Sequence, residues 1–129
     1  MGDKLVCRNL TYDARIGFHP EEKAGLQTLI VDFEVDVPPM PIGSKDDPAF
    51  LPLDYHKAHL ILADLFRQKS FNLVEAAAEA VAEALLERFT VGFVVVNVTK
   101  HPIGLTAGAV VTYRCERKRE PLKTLRMRR

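Results

Sequence analysis

Between residues 26 and 37 the chain alternates: Leu29, Val31, Phe33, Val35 and Val37 interleave with Ile30, Asp32, Glu34 and Asp36. A period of two sends successive side chains to opposite faces, so one face is apolar and the other mostly acidic, the pattern of a half-buried strand. Such a strand needs neighbours at its edges and an apolar layer over one face. The neighbours are legible. Residues 93–99 are valine-rich and flanked by Gly92 and Pro102; residues 109–116 place Ala109, Val111, Tyr113 and Cys115 on one face. The first strand runs over 5–10 and continues toward Ile16 past a bulge at the polar stretch Thr11–Asp13.

The covering layer lies in the middle of the chain. Asp54 caps a helix reaching about Lys69, with Ala58, Ile61, Leu62, Leu65 and Phe66 as its apolar stripe. Asn72 caps a second helix reaching about Phe89, with Leu73, Ala77, Ala80, Val81, Ala84 and Leu85 as its buried face. Glu75, Glu79, Glu83 and Glu87 form a row on a neighbouring face, which reads as solvated except at its first member. The segment 37–53 holds Pro38, Pro39, Pro41, Gly43, Pro48 and Pro52, so it is irregular, and a connection this long in a small domain is often functional. The order strand, strand, helix, helix, strand, strand predicts an α+β fold: a four-stranded antiparallel sheet with both helices on one face. With 129 residues this is a single domain, spanning 1–117 and followed by a basic tail over 118–129.

Composition excludes several function classes. A formal net charge of +1 gives no global pull toward nucleic acid. Locally, Arg114, Arg117, Lys118, Arg119, Lys123, Arg126, Arg128 and Arg129 face only Glu116 and Glu120. This reads as a solvated, loose terminus or as a contact for an anionic partner. No aromatic residue follows Tyr113, which argues against single-stranded nucleic acid. Cys7 and Cys115 form no CxxC pair and read as buried or half-buried free thiols. No apolar stretch suggests a signal peptide or a membrane span, so cytoplasm is the expected setting.

The nucleophile elbow, the phosphate-binding loop and the dinucleotide fingerprint are all missing. His56 and His59 share a helix face, but no third ligand stands at helical spacing, so they read as surface histidines and no metal is expected. Glu21 and Glu22 either decorate a turn begun by Pro20 or hold one carboxylate over a pocket; spacing alone favours decoration. Glu75 either closes a capping box with Asn72 or offers a carboxylate in the positive end of a helix dipole, suited to an amidine-like edge. Lys100 ends a strand and is either a solvated terminus or, in a pocket, a proton relay. Tyr55 opens a helix as a core-edge residue with its hydroxyl toward solvent.

Taken in order, these positions resemble a family. Ile-Gly-Phe-His-Pro-Glu-Glu-Lys-Ala-Gly-Leu-Gln (16–27), Leu-Asp-Tyr (53–55), Phe-Asn-Leu-Val-Glu-Ala-Ala-Ala-Glu (71–79) and Val-Asn-Val-Thr-Lys (96–100) are similar to the motifs of dihydroneopterin aldolases, over about residues 4–117. The resemblance implies the tunnelling fold, in which subunits ring into tetramers or octamers with pockets between neighbours. It implies retro-aldol cleavage of 7,8-dihydroneopterin without metal, Schiff base or added cofactor, and in many members side-chain epimerisation. It assigns Glu75 to the pterin's amino-pyrimidinone edge, aided by backbone near Val74 and Leu53, and Glu22 to the hydroxylated side chain. Lys100 becomes the relay for the 2′-hydroxyl proton, and Tyr55 the group that stacks near the pterin and protonates the enamine-like intermediate. The chain departs from the family pattern in the loop 100–108, at Leu-Pro-Leu before Asp54, and in its basic tail. A dihydroneopterin triphosphate epimerase and a non-catalytic pterin-binding ring are the alternative readings.

Overall fold

The computed structural model describes residues 2–23, 25–39, 46–102 and 104–120. Its elements run β1 (Asp3–Ala14), α1 (Pro20–Lys23), β2 (Gln27–Val37), a 3-10 turn (Pro48–Phe50), α2 (Tyr55–Gln68), α3 (Val74–Arg88), β3 (Phe93–Lys100) and β4 (Val111–Lys118). One sheet holds the strands in the order β1-β2-β3-β4, every pair antiparallel. The expected element order and four-stranded antiparallel architecture are present. Residues 40–45 of the proline-rich connection lie outside the described residues, and its remainder includes the 3-10 turn.

The alternation in β2 does what its period requires. Leu29, Val31, Phe33 and Val35 are buried beneath the helices, while Ile30, Asp32, Glu34 and Asp36 are only partly covered. In β3, Val94, Val96 and Val98 join the same core. Each fully buried aliphatic or aromatic side chain contributes about 1.5–3 kcal/mol over its exposed state. Both long helices lie on this face: α2 packs on β1, and α3 packs on β3 and β4. Ala77, Ala78 and Ala82 of α3 are fully buried, and their small side chains let the helix approach the valine surface closely.

Three local expectations are corrected. The bulge in β1 falls between Cys7 and Leu10, not at Thr11–Asp13, which stay in register with β2. Asn9 takes φ 66°, a left-handed conformation asparagine tolerates, and its N–H donates to Asp32 Oδ1 at 2.7 Å. The extra residue switches the core-packed positions from Leu5 and Cys7 to Leu10, Tyr12 and Ala14. Secondly, the N-cap of α3 is Leu73, without a side-chain cap bond, so the capping box between Asn72 and Glu75 does not form. The chain is pinned just upstream by a parallel bridge between Ile16 and Phe71, which delays the helix. Accordingly Leu73 is exposed, and Val74, Ala78 and Ala82 enter the buried face in place of Leu73, Ala80 and Ala84. Thirdly, β4 starts at Val111 and reaches Lys118.

The segment expected as a tail from 118 thus begins inside β4. Arg119 follows it and donates to the backbone carbonyls of Val91, Leu86 and Phe89, closing the C-terminal end of α3. Arg114 pairs with Glu116, and Arg117 with Glu79. Three basic residues of the region are therefore used internally; 121–129 lie outside the described residues. Cys7 is half-buried and Cys115 buried, both as free thiols. No helix among the described residues is long and apolar enough to cross a membrane.

Candidate functional site

The site forms where the end of β3 meets the turn after β1. Lys100 is the last residue of β3, paired in register with Leu29 and Val111. On the opposite side the chain leaves β1, turns at Gly17, and enters the four-residue α1, whose first turn carries Glu21 and Glu22. Glu21 is exposed. Glu22 folds back: it is 5% exposed, the one charged residue buried among the described residues. Lys100 Nζ donates to Glu22 Oε2 at 2.9 Å, with side-chain exposures of 11% and 6%. The expectation that the glutamates merely decorate the turn is therefore corrected for Glu22, and Lys100 is not a solvated strand end.

The electrostatics follow from this geometry. The Lys100 hydrogen bond holds the Glu22 carboxyl below the usual carboxylate range, against burial, which pushes the other way. The Lys100 charge adds to the lowering, as do the His19 backbone N–H and, last, the His19 charge. A buried ion pair of this kind holds only because each charge has the other; alone, either would carry an uncompensated desolvation cost.

Two residues that the reading of the sequence did not assign hold Glu22 in this pose. Gly17 has φ +134°, and a Cβ on it would fall 2.6 Å from Glu22 Oε1, so only glycine leaves room for the carboxylate. Gln27, at the start of β2, donates from Nε2 to the Ile16 carbonyl at 2.5 Å and to the Glu22 carbonyl at 3.2 Å. Its Oε1 is buried without a hydrogen-bond partner, an arrangement that costs about 1–3 kcal/mol unless something donates to it. The glycine between Ile16 and Phe18 was the available signal for the first; Gln27 closes the motif at 16–27, but its residue type alone gave it no role.

Glu75 approaches through the backbone. Phe71 N–H donates to the Arg15 carbonyl and Gly17 N–H to the Phe71 carbonyl, each at 3.0 Å, so the start of α3 is tied to the turn that carries Glu22. Glu75 lies in the first helical turn, exposed, in a helix with no side-chain cap. The Ala76 and Ala77 N–H groups donate to the Leu73 carbonyl at 3.1 and 3.2 Å, whereas those of Val74 and Glu75 open the helix without an intrahelical acceptor. Val74 is 7% exposed and Leu53 2%; their side chains belong to the core, and only their backbones can meet a ligand.

Tyr55 stands apart. It opens α2 directly after Asp54, whose carboxylate caps the helix by accepting from His56 and Lys57 N–H at 3.1 and 3.2 Å. The tyrosine is 49% exposed, and its ring contact is with His56, at 5.0 Å between centroids. Among the described residues no hydrogen bond or ring contact joins it to Glu22 or Lys100. A cleft of about 520 Å³ between β1 and α2, lined by Tyr12, Arg15, His59 and Arg67 among others, contains none of the six expected site residues. Among the described residues no three His, Cys, Asp or Glu side chains cluster as metal ligands. His59 is held at Nδ1 by the Tyr12 hydroxyl at 3.0 Å.

Comparison with known proteins bears on the family and the fold. The family model described as dihydroneopterin aldolase matches residues 5–114. A dihydroneopterin aldolase from Methylorubrum extorquens is 35% identical over 89 residues, covering 69% of this chain and 68% of that protein. A crystal structure assigned as dihydroneopterin aldolase from Vibrio cholerae superposes with a TM-score of 0.79 at 30% identity, covering 92% of this chain and 99% of that one. The Escherichia coli dihydroneopterin aldolase in complex with neopterin superposes with a TM-score of 0.75 at 29% identity, covering 89% and 98% of the two chains.

Proposed function

This chain belongs to the dihydroneopterin aldolase family, and on that premise we propose how its residues carry out the family's reaction. It has the tunnelling fold, and it cleaves 7,8-dihydroneopterin by a retro-aldol step to 6-hydroxymethyl-7,8-dihydropterin and glycolaldehyde in folate biosynthesis.

In a retro-aldol cleavage a hydroxyl loses its proton, the adjacent carbon–carbon bond breaks, and its electron pair must be accepted. The pterin carries a C=N bond beside the side chain, so the ring accepts that pair and the protein need only orient the substrate and move protons. Glu75 binds the amino-pyrimidinone edge, with backbone groups near Val74 and Leu53. Glu22 orients the hydroxylated side chain. Lys100 relays the 2′-hydroxyl proton through water. Tyr55 stacks near the pterin and returns a proton to the enamine-like intermediate, giving the hydroxymethyl group. The observation that carries this reading is the buried Lys100–Glu22 pair at 2.9 Å, a charge pair fixed at the end of β3 beside an exposed, uncapped helix start.

The reaction needs neither metal nor Schiff base. An imine-forming lysine is activated by desolvation or by a second cation beside it, whereas Lys100 Nζ donates to a carboxylate. The C-terminal end of α2, at Gln68, leads to Phe71, which bonds the turn at Gly17; Tyr55 and Leu53, at the opposite end of a 14-residue helix, therefore act in the pocket of a neighbouring subunit in a ring of four or eight. The free thiols suit a reducing, cytoplasmic setting. The test is glycolaldehyde release from dihydroneopterin, before and after EDTA dialysis and with borohydride added during turnover. Undiminished release in all three supports the reading. Metal-dependent release or borohydride inactivation overturns the metal-free, imine-free chemistry. An epimer without glycolaldehyde, or turnover of the triphosphate alone, points to an epimerase, and binding without product to a non-catalytic ring.

A further inference from the structure

The turn that presents Glu22 has little holding it from within. Helix α1 spans four residues, and a helix that short is not stable on its own. At its start Glu22 N–H donates to the His19 carbonyl at 3.0 Å. Support arrives from β2 instead. Gln27 Nε2 bonds the Ile16 carbonyl, which precedes Gly17, and the Glu22 carbonyl, which follows the turn. One amide therefore closes the segment on both sides. An amide nitrogen has two hydrogens, and both are used. The reverse orientation would set Oε1 against two carbonyl oxygens, so these acceptors determine which way the group points. The consequence is an oxygen left buried beside the turn without a partner, which is unusual for a residue serving only the fold.

We propose that Gln27 is a positioning residue for the aldol cleavage: it clasps the turn from Ile16 to Glu22 and so keeps the Glu22 carboxylate within hydrogen-bond reach of Lys100. The proposal rests on the reading of Glu22 and Lys100 as the reacting pair. It adds that their distance is set from β2, by a side chain that among the described residues bonds backbone carbonyls. Gly17 supplies the space for Glu22, and Gln27 keeps the turn from drifting out of that space.

The experiment uses the full chain and three variants. Gln27→Met keeps the length of the side chain and removes both donors; Gln27→Asn keeps the amide one carbon short of its reach; Glu22→Gln is the reference for the pair. Folding is checked by circular dichroism, the Glu22 side-chain carboxyl is titrated by carbon NMR, and kcat and KM are measured with dihydroneopterin. In folded Gln27→Met the Glu22 titration moves to higher pH, because the contact that lowers it loosens, and kcat falls about tenfold or more with little change in KM. Should Gln27→Met fail to fold, Gln27→Asn is read in the same way. A Glu22 titration unmoved from the parent overturns the proposal, whatever happens to kcat, and so does an unchanged kcat in a folded variant whose titration has moved. Should Glu22→Gln keep full turnover, the catalytic reading of Glu22 fails, while the titration still decides whether Gln27 holds the turn.

Discussion

Glu22 and Lys100 sit 2.9 Å apart with 6% and 11% of their side chains exposed, whereas Tyr55 leaves 49% of its surface to solvent and Glu75 is also exposed. All four carry proposed roles, yet only the first two are organised by the chain itself. Burial removes water as an alternative partner, so the charged pair must satisfy itself, and its geometry follows from β3, α1, Gly17 and Gln27. The exposed pair has water as a partner and no such constraint. Glu75 and Tyr55 stand at the first turns of two different helices, α3 and α2, where what covers them sets their orientation. On the proposed reading Lys100 of the first half relays a proton while Glu22 orients the side chain; in the second, Glu75 binds the pterin edge, and Tyr55, contributed to a neighbouring subunit's pocket, stacks on the ring and returns a proton.

That contrast makes different demands on the two halves. The largest effect is expected for Lys100→Ala, which lowers kcat by about a hundred- to ten-thousandfold, the usual contribution of a positioned proton-transfer group. It also destabilises the fold by about 3–5 kcal/mol, because Glu22 is left buried without its partner. Steady-state kinetics with denaturant unfolding checks both, and near-normal turnover would remove the buried half from the chemistry. Gly17→Ala comes next. It disturbs the pair without altering either charge, and the strained backbone alone costs about 1–3 kcal/mol; kcat is expected to fall while affinity for neopterin, measured by calorimetry, stays within a few-fold.

Glu75→Ala should break the other half. Loss of a charged hydrogen-bonding edge weakens neopterin binding by about 1.5–3 kcal/mol. Turnover at saturation and the unfolding midpoint remain near the parent values, since the side chain is exposed. A slowed kcat with intact affinity would reverse the division of labour. The smallest effect is on stability against pH. The folded-state pKa of Glu22 lies below its unfolded value, so between the two values the unfolded chain binds more protons and stability rises with pH. Its contribution is complete above the ordinary glutamate pKa of about 4.3 and is lost as pH falls through the depressed value. Thermal melts should therefore fall more steeply in acid for the parent than for Glu22→Gln, and parallel curves would mean that the pair adds no such term.

Much of the architecture was legible locally. The alternation over 26–37, the valines of β3 and the Asp54 cap are short-range signals, and β2, β3 and α2 formed close to where those signals lie. The misplaced features share a different origin. The β1 bulge depends on Asp32, on the adjacent strand, capturing the Asn9 N–H. The late start of α3 depends on the Ile16–Phe71 bridge, which outweighs the capping signal of Asn72. The candidate residues were found by family resemblance, and spacing alone favoured a decorative Glu22.

By itself the sequence determined the element order, the buried face of the sheet and the set of polar residues available for chemistry, because periodicity and caps act over a few residues. Only the tertiary structure decided that Glu22 is buried and bound to Lys100, 78 positions away, while Glu21 beside it stays in water. The physical reason is desolvation: whether a carboxylate leaves water depends on a cation, an empty space at Gly17 and a clasp at Gln27, which come together only when the chain has folded.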